Sequence, residues 1–347
     1  MKFYTQTHKH YCGIDLHARC LYVCILDQDG TVLVHQNIKA NPQALMKLVL
    51  PYQDDLVIGV ECMFSWYWVA DLCRENQIAF ILGHALYMKA IHGGKAKNDK
   101  IDSNKIARLM RGGMFPQAYV YPREMRGTRD LMRRRMHLMR KRSELLAHIH
   151  NTNSQYNLPE IKKNLRYAFN REGITERFSD ASVQKSIELD LNLIGFYDQQ
   201  LSKVEWFIQQ QARTCDQHSL ILLRTVPGIG KILSLVILYE IHSIERFPTV
   251  QNFASYCRLI KCKKESAGKS YGTSGKKIGN AYLKWAFSEA AVLFLRKNPD
   301  AQAWVERMAN KHNKARALTI LAHKLGRAVY FMLKRKTVFD QERFLNR

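Results

Sequence analysis

Apolar and polar positions change period about one third of the way along this chain. Before that point short apolar runs alternate with helical stretches. Residues 9–18, 20–28 and 31–38 read as three strands, with Asp29-Gly30 supplying a hairpin turn between the second and third. A helix follows in NPQALMKLVLPY, with Asn41 as N-cap and Pro42 at its first position. Next come a strand in DLVIGVE, a helix in SWYWVADLCREN, a strand in IAFILG, and helices around 86–93 and 99–112. Three meandering strands followed by β-α-β-α is the order of a ribonuclease-H-like α/β fold. In that fold the first and fourth strands lie side by side.

From Pro122 onward the pattern is helical. The segment PREMRGTRDLMRRRMHLMRKRSELLAHIHNTNSQYNL reads as one long helix with Met132, Met136, Met139 and Leu146 near helical spacing. A second, less basic helix near 181–214 is expected to pack back against it, and the polar link 151–180 reads as a loop or hinge. LILLRTVPGIGKILSLVILYEI places Val-Pro-Gly-Ile-Gly between two apolar helical runs, the turn of a helix-hairpin-helix. AYLKWAFSEAAVLFL is apolar nearly all round and reads as a core helix. NKARALTILAHKLGRAVYFMLKRK carries an apolar stripe backed by cations. The expected domains are an α/β domain at 1–121, a helical arm at 122–215 and a mainly α domain at 216–347.

Charge narrows the partner. The chain has 347 residues, 54 Lys and Arg against 30 Asp and Glu, and a formal charge of +24, which favours a polyanion such as nucleic acid. No apolar stretch approaches the roughly 18 residues of a spanning helix, and MKFYTQTHKHY lacks the apolar core of a signal peptide. A cytosolic protein is the expectation. None of the eight cysteines forms a Cys-x-x-Cys pair, so they read as reduced, mostly buried thiols. Zinc at His17, Cys20 and Cys24 is disfavoured because no fourth ligand is evident.

The cations cluster in three places. On the long helix, Arg133, Arg134, Arg135, Arg140, Lys141 and Arg142 meet few acids at i, i+4 and are expected to lie along phosphates, although a solvated charged face is the plainer alternative. At the turn, Gly228 and Gly230 allow a tight bend, and the helix opening at Lys231 presents free N–H groups to a phosphate. The Lys-, Gly- and Ser-rich segment RLIKCKKESAGKSYGTSGKKIGN brings Lys263, Lys264, Lys269, Lys276 and Lys277. Taken alone it reads as a flexible basic linker.

Four acids carry the candidate chemistry. Asp15 stands inside an apolar strand, where an unpartnered carboxylate is costly. Glu61 closes DLVIGVE, and Asp99 and Asp102 share one face of a helix start by their i, i+3 spacing. Each has a dull explanation by itself, since acids suit helix N-termini. Together, on this strand and helix order, they predict a site for a divalent cation, and Mg²⁺ is the oxygen-seeking choice. No Gly-x-Ser-x-Gly elbow supports a hydrolase triad.

The order Asp15, Glu61, Asp99, Asp102, followed by a basic helical arm and then RTVPGIGKILSLVILYEI, FASYCRLIKCKKESAGKSYG and GNAYLKWAFSEAA, resembles the DEDD insertion-sequence transposases. These are RNA-guided serine recombinases akin to the pilin-gene invertases. The resemblance spans residues 9–335. It implies a RuvC-like domain, a coiled-coil arm and a transposase domain with a catalytic serine. It also implies Mg²⁺ at the four acids and a covalent phosphoserine link to DNA. Partners so implied are donor and target DNA, a non-coding guide (bridge) RNA, and further copies of the chain in a dimer or tetramer whose subunits share active sites. The family commonly has two serines followed by glycine where this chain reads Glu265-Ser266-Ala267-Gly268, so Ser266 matches the second serine. Ser270 and Ser274 remain alternatives. A RuvC-like nuclease or junction resolvase, and a binder without catalysis, are the competing functions.

Overall fold

The structure, a computed structural model, describes residues 2–91, 98–212, 216–274 and 278–346. It forms two compact units, Met1–Glu124 and Met125–Arg347.

The strands of the first unit are β1 (Phe3–Tyr4), β2 (His10–Leu16), β3 (Cys20–Asp27), β4 (Val32–Lys39), β5 (Leu56–Glu61), β6 (Ala79–Gly83) and β7 (Phe115–Pro116). Its helices are α1 (Pro42–Val49), α2 (Tyr67–Glu75), α3 (Ala85–Ile91) and α4 (Asp99–Arg111). Five strands form one mixed sheet in the order β4-β3-β2-β5-β6. Strands β2, β3 and β4 are antiparallel neighbours, while β5 runs parallel to β2, and β6 to β5. The first and fourth predicted strands are therefore adjacent, an order compatible with a ribonuclease-H-like fold. The short β1–β7 pair has no counterpart in the sequence reading, because two-residue strands carry no periodicity.

The two faces of the sheet are built differently. Cys12, Ile14, Leu16, Ile58 and Val60 meet Leu45 and Val49 of α1 and Val69, Ala70 and Cys73 of α2. The opposite face receives α4 across two glycines, Gly13 and Gly59, which are register partners on β2 and β5. A Cβ on Gly13 would lie 2.2 Å from the Ser103 carbonyl and 2.5 Å from the Ala107 nitrogen. A Cβ on Gly59 would lie 2.4 Å from Met110 Sδ, the end of a side chain that can swing aside. Gly13→Ala is thus expected to lower the stability of this unit by about 1–3 kcal/mol, as overpacking does. Gly59→Ala should cost less, and melting midpoints of the two variants check the order.

The second unit opens with α5 (Arg123–Gln155) and α6 (Ala181–Gln211). Side-chain pairs join them, among these Arg135 to Glu205 at 2.6 Å, Arg142 to Asp198 at 2.5 Å and His148 to Asp190 at 2.5 Å. The partner numbers fall as the α5 numbers rise, so the helices run antiparallel. The link between them is a loop, as its polarity predicts, but one packed onto the helices and not a free hinge. Ile161, Leu165, Ile174 and Phe178 of the link are buried with Leu146, Ile149, Ile187 and Ile194 of the helices. Those apolar residues are too sparse and irregular for a periodicity reading to register.

The remaining elements are α7 (Gln217–Arg224), α8 (Lys231–Ile241), α9 (Val250–Tyr256), β8 (Cys262–Ser266), β9 (Lys269–Ser274), α10 (Ala281–Phe294), α11 (Pro299–Lys311), α12 (Lys314–Arg335) and α13 (Gln341–Asn346). From Leu233 to Ile241 every residue of α8 is buried. Helix α8 shares its core with residues of α10 and α12, and with Met132, Ile208 and Ala212 at the near end of the α5–α6 pair. One core thus joins residues read from sequence as arm and as C-terminal domain.

Candidate active site and nucleic-acid surfaces

The sheet and the first turn of α4 bring Asp15 and Asp99 together, with Asp102 on the same turn and Glu61 at the neighbouring strand end. Ile14 pairs with Val60 in parallel register, so Asp15 and Glu61 follow at the same level on adjacent strand ends. They share the face on which Gly13 and Gly59 admit α4, because side chains two apart in a strand point the same way. That close approach sets the first turn of α4 beside the end of β2. The turn is fixed by Asn98, whose side chain accepts from the Ile101 nitrogen at 2.8 Å, and it carries Asp99 and Asp102.

His17 joins the group, a place the sequence reading did not give it. Its Nε2 lies 3.5 Å from Asp15 Oδ2 and 3.4 Å from Asp99 Oδ1. Ligand atoms of Asp15, His17 and Asp99 all fall within 4.8 Å of one another, a group that could hold a metal ion. Asp102 is ion-paired with Lys105 at 3.4 Å, and Glu61 stands at the neighbouring strand end outside the group of three. The available signal for His17 was its i, i+2 spacing from Asp15. Cys24, by contrast, is buried and accepts from Asn104 Nδ2 at 3.3 Å, which suits a core thiol and not zinc.

Burial raises the Asp15 carboxyl above its usual range. His17 draws it down, and the negative charges of Asp99 and Asp102 push it up again. A divalent cation relieves such crowding, and carboxylate oxygens are the donors hard cations prefer. The donor set therefore fits a divalent metal.

The serine segment is a hairpin and not a flexible linker. Strands β8 and β9 pair antiparallel, with Ser266 opposite Lys269 and Glu265 opposite Ser270. Ala267 and Gly268 make the turn with φ of +49° and +74°, both left-handed. Glycine takes that backbone readily and alanine does not, a physical reason for the glycine that the resemblance expects at 267. Ser266 shares a face with Lys269 and Tyr271 at the exposed tip, whereas Ser270 faces a carboxylate. Lys276, Lys277 and the side chains of Lys263, Lys264 and Ser274 lie outside the described residues.

The remaining predicted cations divide into two sets. Arg133 is held by Glu240 at 2.7 and 2.9 Å and lies 4.5 Å over the Tyr282 ring. With Arg135 and Arg142 on Glu205 and Asp198, these three are engaged within the chain instead of lying open along phosphates. Arg134, Arg140 and Lys141 are exposed, Lys141 with Glu144 at 2.8 Å. Gly228 has a packing role: its φ is +86°, and a Cβ there would lie 2.6 Å from the Phe294 nitrogen of α10. Gly230 and Lys231 at the start of α8 are exposed. Among the described residues no helix is long and apolar enough to cross a membrane.

A mixed sheet whose central strand ends in a carboxylate crowded by those of a helix start, followed by a helical unit, defines a candidate metal-dependent nucleic-acid protein. Two family models match the chain. One, described as a transposase of the DEDD type, covers residues 12–157, and the other, described as "Transposase IS116/IS110/IS902 family", covers residues 221–306. An "Insertion element IS110 uncharacterized 43.6 kDa protein" of Streptomyces coelicolor is 27% identical over 120 residues, 34% of this chain. The matched stretch is 30% of that relative's own length. Over residues 12–157 and 221–306 the chain is thus similar to insertion-element transposases.

Proposed function

We propose that the chain is a DNA transposase that cuts and rejoins strands of an insertion element. The single observation that carries this reading is the convergence of Asp15, Asp99 and His17 at the end of the central strand β2, where Gly13 and Gly59 admit α4. Asp15, Glu61, Asp99 and Asp102 would hold Mg²⁺. When bound, the ion would supply neutralising charge for a phosphate in reaction.

Ser266 is the nucleophile in this reading. Its Oγ attacks a DNA phosphorus, a serine–phosphate ester forms, and a DNA hydroxyl leaves. A hydroxyl of a second strand reverses the step, so the number of phosphoesters is conserved and no high-energy cofactor is needed. The cation Lys269 across the hairpin, with Tyr271 on the same face, supports Ser266 over Ser270. Exposed Lys231 and the N–H groups opening α8, a helix-hairpin-helix in this reading, hold DNA phosphates, as do Arg134, Arg140 and Lys141 on a coiled-coil arm. The charge of +24 suits a guide RNA in addition to DNA. A homo-oligomer would pair the acids of one subunit with the serine of another.

Denaturing a reaction of protein, DNA and Mg²⁺ tests the proposal. A covalent protein–DNA adduct is expected from the wild type and none from Ser266→Ala. An adduct surviving that change moves the role to another serine. Hydrolysed ends with no adduct at all would replace the transposase reading with a metal-dependent nuclease.

A further inference from the structure

The link between α5 and α6 displays two aromatic rings on its surface. Tyr167 and Phe169 are 57% and 76% exposed. Their rings stack with centroids 5.7 Å apart and planes inclined by 21°. Exposed Lys162, Lys163 and Arg166 stand beside them in sequence, with no acid from Ile161 to Arg171.

The backbone bearing these rings is firmly held. Arg171 donates to the carbonyls of Leu165 and Arg166 at 2.9 and 3.1 Å and pairs with Asp198 of α6 at 2.5 Å. Asn170 donates from its backbone to Tyr167 at 3.0 Å and from its side chain to Asn164 at 2.9 Å. Beneath them Ile161 and Leu165 are buried in the apolar cluster that closes this end of the helix pair. A platform fixed in advance loses little conformational freedom when something binds it.

We infer that this platform binds unpaired nucleotides of a single nucleic-acid strand, loop or bulge. Bases stack on Tyr167 and Phe169, and the neighbouring phosphates meet Lys162, Lys163 and Arg166. Every base has a π-face, so such stacking tolerates any sequence. A duplex keeps those faces inside its own stack and gains nothing from the rings. A protein partner suits the surface less well, because the three exposed cations adjoining the rings in sequence would have to be desolvated against matching acids. The site lies apart from the carboxylates and Ser266 in sequence, and its chemistry does not depend on strand exchange.

The test is fluorescence anisotropy of the full chain with a labelled mixed-sequence single strand, as RNA and as DNA, and with the duplex of the same sequence. No Mg²⁺ is added, so a failure of the strand-exchange reading leaves this assay intact. The double variant Tyr167→Ala, Phe169→Ala is expected to weaken single-strand binding about tenfold. Duplex binding should be unchanged, and the salt dependence retained because the cations remain. Tyr167→Phe should bind as the wild type does. The sugar showing the larger loss identifies the natural strand. If the double variant melts early, Phe169→Ser alone carries the measurement, since that ring is the more exposed. Equal losses on strand and duplex, no loss on either, or a changed sedimentation coefficient with unchanged affinity would overturn the inference.

Discussion

Asp15→Asn is expected to reduce DNA strand cutting by about a thousandfold, the several kcal/mol that a positioned metal supplies at tenfold per 1.36 kcal/mol. The same change should raise the melting midpoint of the metal-free protein. Asp15 is partly buried and crowded by Asp99 and Asp102, which is why its carboxyl sits above its usual range. Asparagine keeps the shape and removes the charge, so both burial cost and repulsion fall. Mg²⁺ should then stabilise the wild type by mass action and the variant much less. Melting curves with and without Mg²⁺, read beside cutting rates, check both signs. A variant that cuts at the wild-type rate, or gains equally from Mg²⁺, removes Asp15 from the metal site.

Glu240→Ala should destabilise the second unit by about 3–5 kcal/mol, the usual consequence of removing one member of a buried charge network. Glu240 accepts from Arg129 at 3.1 Å, from Arg133 at 2.7 and 2.9 Å, and from Asn280 at 2.7 Å. Arg129 and Arg133 stand on α5, Glu240 near the end of α8, and Asn280 caps α10. Removing the carboxylate takes the shared acceptor from two guanidinium groups, one buried and one partly buried. Burial pushes the Glu240 carboxyl up, but the hydrogen bond and charge of Arg133, the charge of Arg129 and the Asn280 amide outweigh it and hold it below its usual value. A carboxyl lowered in the folded state contributes its stability above the unfolded value and loses it as pH falls through the folded one. Denaturant titrations from neutral to acid pH should therefore show wild type and Glu240→Gln converging as the solution becomes acid. Curves that stay parallel would contradict this account.

Much of the first unit was legible because its elements are periodic and bounded by strong turn and cap residues. The three meandering strands, the Asn41 cap with Pro42, and the start of α4 at Asp99 all follow from local rules. The packing of the loop between α5 and α6 was not legible, because burial of Ile161, Leu165, Ile174 and Phe178 depends on two helices closing over them. The serine hairpin was misread for a similar reason, since Lys, Gly and Ser composition hides a strand pair made by backbone hydrogen bonds.

The sequence by itself determined the strand and helix order, the charge that selects a polyanion, and the identity of the acids. These are properties of residue type and short spacing, which the chain carries before it folds. Only the tertiary structure decided that Asp15 and Glu61 end adjacent parallel strands, and that Gly13 and Gly59 let α4 bring Asp99 to Asp15. It also gave His17 its two carboxylates and turned Arg133, Arg135 and Arg142 inward to acids far along the chain. Such pairings join residues separated by tens of positions, and close packing across those separations is what no local pattern records.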